Sequence, residues 1–232
     1  MQIVMLIAVL GIIGLFAGIV LLMISAGKKD RARKAELARS LGFYPIEKPD
    51  QALTGRIIEL HRRSKNSRFS LRNVFVRNTP EGQLYLYDLD DSSGEDSSPV
   101  ARMGVAIVTP GRELPRFIIY PRINMESKLA SIANRAIEWL ASLTMEKVVL
   151  DDRPDFEQRY MVTADDAFRV KETLTTNLIN LLVNSSESLM INAAGDALSV
   201  STAISRTSGQ NVTAEELRPR IDMTLAISRC LD

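Results

Sequence analysis

The sequence predicts an α+β protein: an N-terminal transmembrane helix followed by a single domain in which a largely antiparallel sheet carries about three packing helices. Three observations lead there. The chain opens on an uncharged, almost wholly apolar run that ends in a burst of basic residues. Short β-branched and aromatic runs follow, with turn residues between them. From Met125 the spacing of apolar residues lengthens to threes and fours, the helical period. Strands and helices come in clumps and not in strict alternation, and no repeat at solenoid or propeller spacing occurs.

Residues 1–27 carry no charged side chain, and Ile3 to Ile24 are nearly all apolar. At about 1.5 Å rise per residue, such a run of about 22 residues reaches roughly 33 Å, enough for a hydrocarbon core of about 30 Å. Lys28, Lys29, Arg31, Arg33 and Lys34 follow at once and no basic residue precedes the run, so the positive-inside rule puts the body in the cytoplasm, on a single-pass anchor in the plasma (inner) membrane. A cleaved secretory signal is the competing reading, with Ser25-Ala26-Gly27 as its cleavage site. It wants a basic leader and a shorter apolar stretch than this one. Gly14 and Gly18 form a small-xxx-small pair through which two copies could associate as a homodimer, although glycine is also simply common in membrane helices.

Residues 28–42 read as a basic juxtamembrane helix or linker ending at Gly42, a natural position for a left-handed residue. The domain proper is 43–232. Strand-like runs cover Gly55 to His61, Phe69 to Arg77, Gln83 to Leu89, Ala101 to Val108 and Arg116 to Tyr120. Asn78-Thr79-Pro80-Glu81-Gly82 turns a hairpin whose second strand puts Leu84 and Leu86 on one face, Tyr85 and Tyr87 on the other. The stretch from Asp90 to Pro99 is polar enough to be an exposed loop. Met125, Leu129, Ile132, Ala136, Leu140 and Leu143 mark an amphipathic helix, with Trp139 off its stripe.

Lys147 to Leu150 and Arg159 to Val162 read as short strands around the turn at Asp151-Asp152-Arg153-Pro154-Asp155. Thr163 caps a helix whose stripe runs from Ala167 to Leu182. Leu189 to Asn192 and Ala197 to Thr202 make a second hairpin about Gly195. The last helix passes Leu217, Ile221 and Leu225. Thr213 and Glu216 form a capping box for it, and Pro219 is either a kink or a restart.

Composition removes several function classes. Taking the five basic residues and Asp30 of the basic stretch out of 29 Lys+Arg and 28 Asp+Glu leaves 24 against 27, a mildly acidic body, so no nucleic-acid partner is expected. Cys230 is the only cysteine and His61 the only histidine, which leaves an intrachain disulfide, a Cys/His zinc site and a histidine-activated nucleophile without partners. Walker A, dinucleotide-glycine, Gly-x-Ser-x-Gly and His-Glu-x-x-His patterns are missing, and no cofactor is expected.

Two clusters remain. Between Leu53 and Asn78, Arg56, Arg62, Arg63, Lys65, Arg68, Arg72 and Arg77 face only Glu59, and a tip formed by Arg62, Arg63, Lys65 and Arg68 could touch anionic lipid; the plainer reading is a solvated loop balanced by acids elsewhere. Asp151, Asp152 and Asp155 are the best-spaced oxygen ligands for a divalent metal, but the spacing fits no calcium loop, and a turn after a strand explains them as well.

Leu114-Pro115-Arg116-Phe117-Ile118-Ile119-Tyr120-Pro121, then Pro154-Asp155-Phe156-Glu157-Gln158-Arg159-Tyr160, then Leu189-Met190-Ile191-Asn192 before Gly195 give the second half of the body an order that resembles uncharacterised prokaryotic single-pass membrane proteins with one C-terminal α+β domain. The resemblance implies no activity and no catalytic residues. The sequence therefore favours a membrane-anchored, non-enzymatic interaction or scaffold module that binds another protein or the lipid surface. A metal-dependent hydrolase using the acidic cluster, or an extracytoplasmic domain, is the alternative.

Overall fold

The structure is a computed structural model that describes residues 25, 27–62, 68–91, 98–122, 145–202 and 212–231. Helix α1 covers 27–40, and α2 follows at Gln51–His61 after the two-residue strand β1, Tyr44–Pro45. Then come β2 (Phe69–Thr79), β3 (Gly82–Asp91), β4 (Ser98–Val108), β5 (Leu114–Pro121) and β6 (Glu146–Val148). The remainder is α3 (Pro154–Arg159), β7 (Tyr160–Ala164), α4 (Ala167–Thr173), α5 (Thr176–Asn184), β8 (Leu189–Gly195), β9 (Ala197–Thr202) and α6 (Ala214–Cys230).

The described strands form one nine-stranded sheet in the order β1-β2-β3-β4-β9-β8-β5-β7-β6. Every pairing in it is antiparallel. A meander of β1 to β4 is thus joined through the β4–β9 ladder to a second half made from the later strands. Alternation along β3 places Leu84 and Leu86 in a large apolar cluster with α1 and with helices α3 to α6, while Tyr85, Tyr87 and Leu89 pack under α2 on the opposite face. Among the described residues the sheet is therefore the middle layer, with five helices on one side, the thick face, and α2 on the other, the thin face.

The expected N-terminal transmembrane helix is not supported, and with it go the membrane-spanning and single-pass assignments. Among the described residues no helix is long and apolar enough to cross a membrane. The run Ile3 to Ile24, with Gly14 and Gly18, lies outside the described residues. The helix that carries the basic stretch makes protein contacts instead. Ala38 and Leu41 join the core, Lys34 reaches Asp88, and Arg33 and Lys34 both pair with Asp30 at 2.9 and 2.8 Å. The helix expected over Met125 to Leu143, with Trp139, and the central part of the Asp90 to Pro99 loop also lie outside the described residues.

Other elements differ for local reasons. Gly55 to His61 is not a strand but most of α2. Asp50 caps it, its carboxylate accepting from the Leu53 amide at 2.6 Å, and Leu53, Ile57 and Leu60 then recur at helical spacing against the sheet. The isoleucine pair that looked β-like is explained by packing. The helix expected to start at Thr163 is two helices: Thr163 is buried in β7, Asp166 caps α4, and Thr175 caps α5 with its hydroxyl accepting from Leu178. Residues from Pro154 to Arg159 form a short helix in place of a turn and strand start, with Pro154 in the first turn, where its missing N–H costs nothing.

Gly82 and Gly195 turn the two hairpins. A Cβ on Gly82 would lie 2.4 Å from the Val108 carbonyl oxygen, so the close approach of β4 as well as the φ of +145° requires glycine. Gly195 has a φ of +59° at the β8–β9 turn.

A candidate binding groove

Helices α5 and α6 lie side by side on the thick face and leave a groove of about 670 Å³ between them. Both ends of its walls are pinned. At the start of α5, the Thr175 hydroxyl donates to the Cys230 carbonyl at 2.9 Å, tying the first turn of one helix to the last turn of the other. At the far end of α5, the Arg159 guanidinium donates to the carbonyls of Val183 and, at 2.7 Å, Ser185, which satisfies acceptors that the helix end leaves open. Helix α6 begins with a complete capping box: the Thr213 hydroxyl accepts from the Glu216 amide at 3.3 Å, and the Glu216 carboxylate accepts from the Thr213 amide at 3.0 Å. It then runs unbroken past Pro219.

The α5 wall presents Asn177, Asn180 and Asn184, spaced i, i+3 and i+7 along one stripe, with Leu181 between them. The α6 wall presents Pro219, Met223 and Cys230. Burial pushes the Cys230 thiol above its ordinary pKa, so this lone cysteine is not activated. Ser185, Ser186 and Glu187 close the rim, the Ser185 hydroxyl accepting from the Glu187 amide at 3.2 Å. Near that rim stands Arg220, half-buried, whose Nε donates to the Glu216 carbonyl at 3.1 Å. Burial lowers its pKa, and Glu216 and Glu187 oppose the shift.

A second polar constellation lies under α2. The Nε2 of His61 and the Tyr87 hydroxyl are 2.6 Å apart, Ser199 hydrogen-bonds to Tyr87, and Asn192 Nδ2 donates to the Ser199 hydroxyl at 3.2 Å. With Asn192 Nδ2 as a fixed donor, one consistent direction runs from Asn192 through Ser199 and Tyr87 to His61, which then accepts on Nε2 and carries its proton on Nδ1. Burial pushes the Tyr87 phenol far above its ordinary pKa. All four groups are buried between α2 and the sheet, so they fix packing and offer no open reacting site.

Among the described residues, those singled out in the sequence lie apart from one another. Lys28, Lys29 and Arg31 are exposed on α1. Arg63 and Lys65 lie outside the described residues. Arg62 pairs with Glu59 at 3.1 Å, Arg56 with Asp196 at 3.1 Å and Arg72 with Asp90, while Arg77 donates to the Leu41 carbonyl at 2.8 Å and covers the Phe43 ring. Arg68 is exposed immediately before β2. With Gly55 to His61 helical, the described basic residues are not on one hairpin, and acids from α2, β3 and the β8–β9 turn pair with three of them.

Asp151, Asp152 and Asp155 are all exposed. Both carboxylate oxygens of Asp155 accept from Arg153, at 3.1 and 2.9 Å, which holds its pKa below the usual carboxylate value. Asp151 and Asp152 border a hollow of about 300 Å³ together with Arg153 and Lys171. Among the described residues no group of three or more His, Cys, Asp or Glu side chains is placed to hold a metal ion.

Sequence reasoning missed the asparagine stripe, although Asn177, Asn180 and Asn184 were legible as a polar line on a helix whose other face is leucine. It also missed Asp88. That buried carboxylate accepts from Lys34 Nζ and Asn73 Nδ2, both at 2.7 Å, and from the Met103 amide at 2.8 Å. Asn73 and Met103 sit at irregularities of the β2–β3 and β3–β4 ladders with positive φ, so the strands bend to bring these donors to one carboxylate.

No family model matches the chain, and no curated protein matches it. Among solved structures it is similar to the mycobacterial trehalose monomycolate transport factor A, TtfA, with a TM-score of 0.52 over 87% of this chain and 94% of that one, at 8% sequence identity. At that identity the likeness is one of fold.

Proposed function

We propose that this chain is a non-enzymatic, transport-associated factor that binds its cargo or a partner and does not transform it. The supporting observation is the extent of the shared fold, which takes in 87% of this chain and 94% of a mycobacterial transport factor. Several described side chains that could carry chemistry have protein partners. His61 is locked to Tyr87, Asp88 to three donors and Asp155 to Arg153.

Deleting the gene and following labelled acetate into the envelope lipids tests the reading. A lipid precursor retained on the inner side, and released when the intact gene is restored, is the expected result. Unchanged lipid export in the deletion strain overturns it.

A further inference from the structure

We propose that the groove between α5 and α6 receives a neutral, polyhydroxylated head group, with the hydrocarbon part of the same ligand lying against Leu181, Pro219 and Met223. The first argument is donor and acceptor count. A sugar hydroxyl donates once and accepts twice, and a side-chain amide offers two donors and an acceptor oxygen, so amides match hydroxyls in both directions where a cation or a carboxylate matches in one. At 1.5 Å rise per residue, the amides of Asn177, Asn180 and Asn184 follow one another at about 4.5 and 6 Å along the helix axis, a ladder long enough for more than one ring hydroxyl.

The ladder is also idle. Asn180 uses its oxygen to accept from Arg153 at 2.9 Å, which leaves its amino group without a hydrogen bond to other described residues. The amides of Asn177 and Asn184 make no hydrogen bond to other described residues.

The second argument is charge. Among the described lining residues Glu187 is the one ionised side chain, so a phosphate or carboxylate entering would meet repulsion with no guanidinium fork in the lining to receive it. Arg153 is spent on Asp155 and Asn180, and Arg220 is not part of the lining. The third is size and apolar content: about 670 Å³ lies within the range of about 300–1,000 Å³ typical of small-molecule sites, and Met223 is a side chain that adapts to irregular apolar shapes. The choice of a lipid-linked sugar over a free one rests on the transport reading above, whereas the amide ladder stands without it.

The test uses the full chain and two probes, a trehalose monodecanoate ester and decanoic acid, titrated calorimetrically below their micelle concentrations. Binding of the ester, at least tenfold weaker in an Asn177→Ala/Asn184→Ala double variant whose thermal unfolding is unchanged, is the expected result; both side chains are exposed, so the variant should fold. Equal binding of the two probes, an unaffected double variant, or no binding of the ester overturns the proposal. Lost export in the deletion strain without ester binding would remove the groove and keep the transport reading. Ester binding with normal export would do the reverse.

Discussion

The two faces of the sheet are built by different means. On one, α1 and α3 to α6 bury a continuous apolar cluster that reaches from Phe43 and Leu84 through Ile119 and Phe156 to Leu217. On the other, α2 packs over a smaller set among the described residues, Leu53, Ile57, Val74, Tyr85 and Tyr87 among them, and the polar chain His61–Tyr87–Ser199–Asn192 runs beneath it. The thick face draws on area, each fully buried large apolar side chain contributing about 1.5–3 kcal/mol. Under α2 the described apolar cluster is smaller, and directional bonds whose geometry must be right run through it. Stability should therefore be concentrated on one side and specificity of packing on the other.

The sharpest way to break this contrast is Phe156→Ala. Phe156 has no exposed surface and stacks on Tyr160 with ring centroids 5.3 Å apart. Removing it should lower the unfolding free energy by about 4 kcal/mol, measured by urea denaturation. A loss under about 1 kcal/mol would mean that the thick layer is not the stabilising one.

Asp88→Ala is expected next, at about 3 kcal/mol. The carboxylate is on the thick face yet is polar, so it tests whether charge counts there too. Truncation strands the Asn73 amide and the Met103 N–H and leaves Lys34 with Asp30 alone. An Asp88→Asn variant, which keeps the shape and one acceptor oxygen, should recover part of the loss. If it recovers none, the charge itself is what the two strand irregularities surround.

On the thin face, Tyr87→Phe keeps the ring and removes only the hydroxyl between His61 and Ser199. The expected loss is about 1.5 kcal/mol, from unpaired buried groups and not from lost area. A much larger loss would place α2 among the main stabilising elements and dissolve the contrast between the faces.

Legibility in the sequence followed the same divide. Binary alternation along β3, the Gly82 and Gly195 hairpins and the Thr213 capping box were readable because each depends on neighbours in sequence. The β4–β9 ladder that joins the two halves was not, since it pairs Val105 with Val200 and no local pattern announces so distant a partner. Helix α2 was mistaken for a strand because its isoleucines outweighed the Asp50 cap. The expected membrane helix was wrongly supported by a basic stretch whose Lys34 has a protein partner, Asp88, far along the chain. The groove was half legible: the asparagines lie in one helix, but the Met223 and Pro219 wall comes from another that only the tertiary fold brings alongside.

The smallest expected effect concerns a clasp between the two layers. Glu81, in the β2–β3 turn, pairs with Arg229 on α6, and the hydrogen bond from that guanidinium is the main reason its pKa lies below the ordinary value of 4.5. A carboxylate with a lowered folded-state pKa adds stability that is fully present above its unfolded pKa and is lost as pH falls through the folded value. Wild type and Glu81→Gln should thus differ by about 0.5 kcal/mol at pH 7, because Arg229 is largely exposed and the pair is screened, and the difference should shrink as pH falls below the ordinary carboxylate range. Unfolding curves of the two proteins between pH 3 and 7 measure this directly. A difference that stays constant over that interval would show that the turn is held by the Gly82 approach to β4 and not by charge, leaving Lys34–Asp88 as the electrostatic tie between the meander and the helical layer.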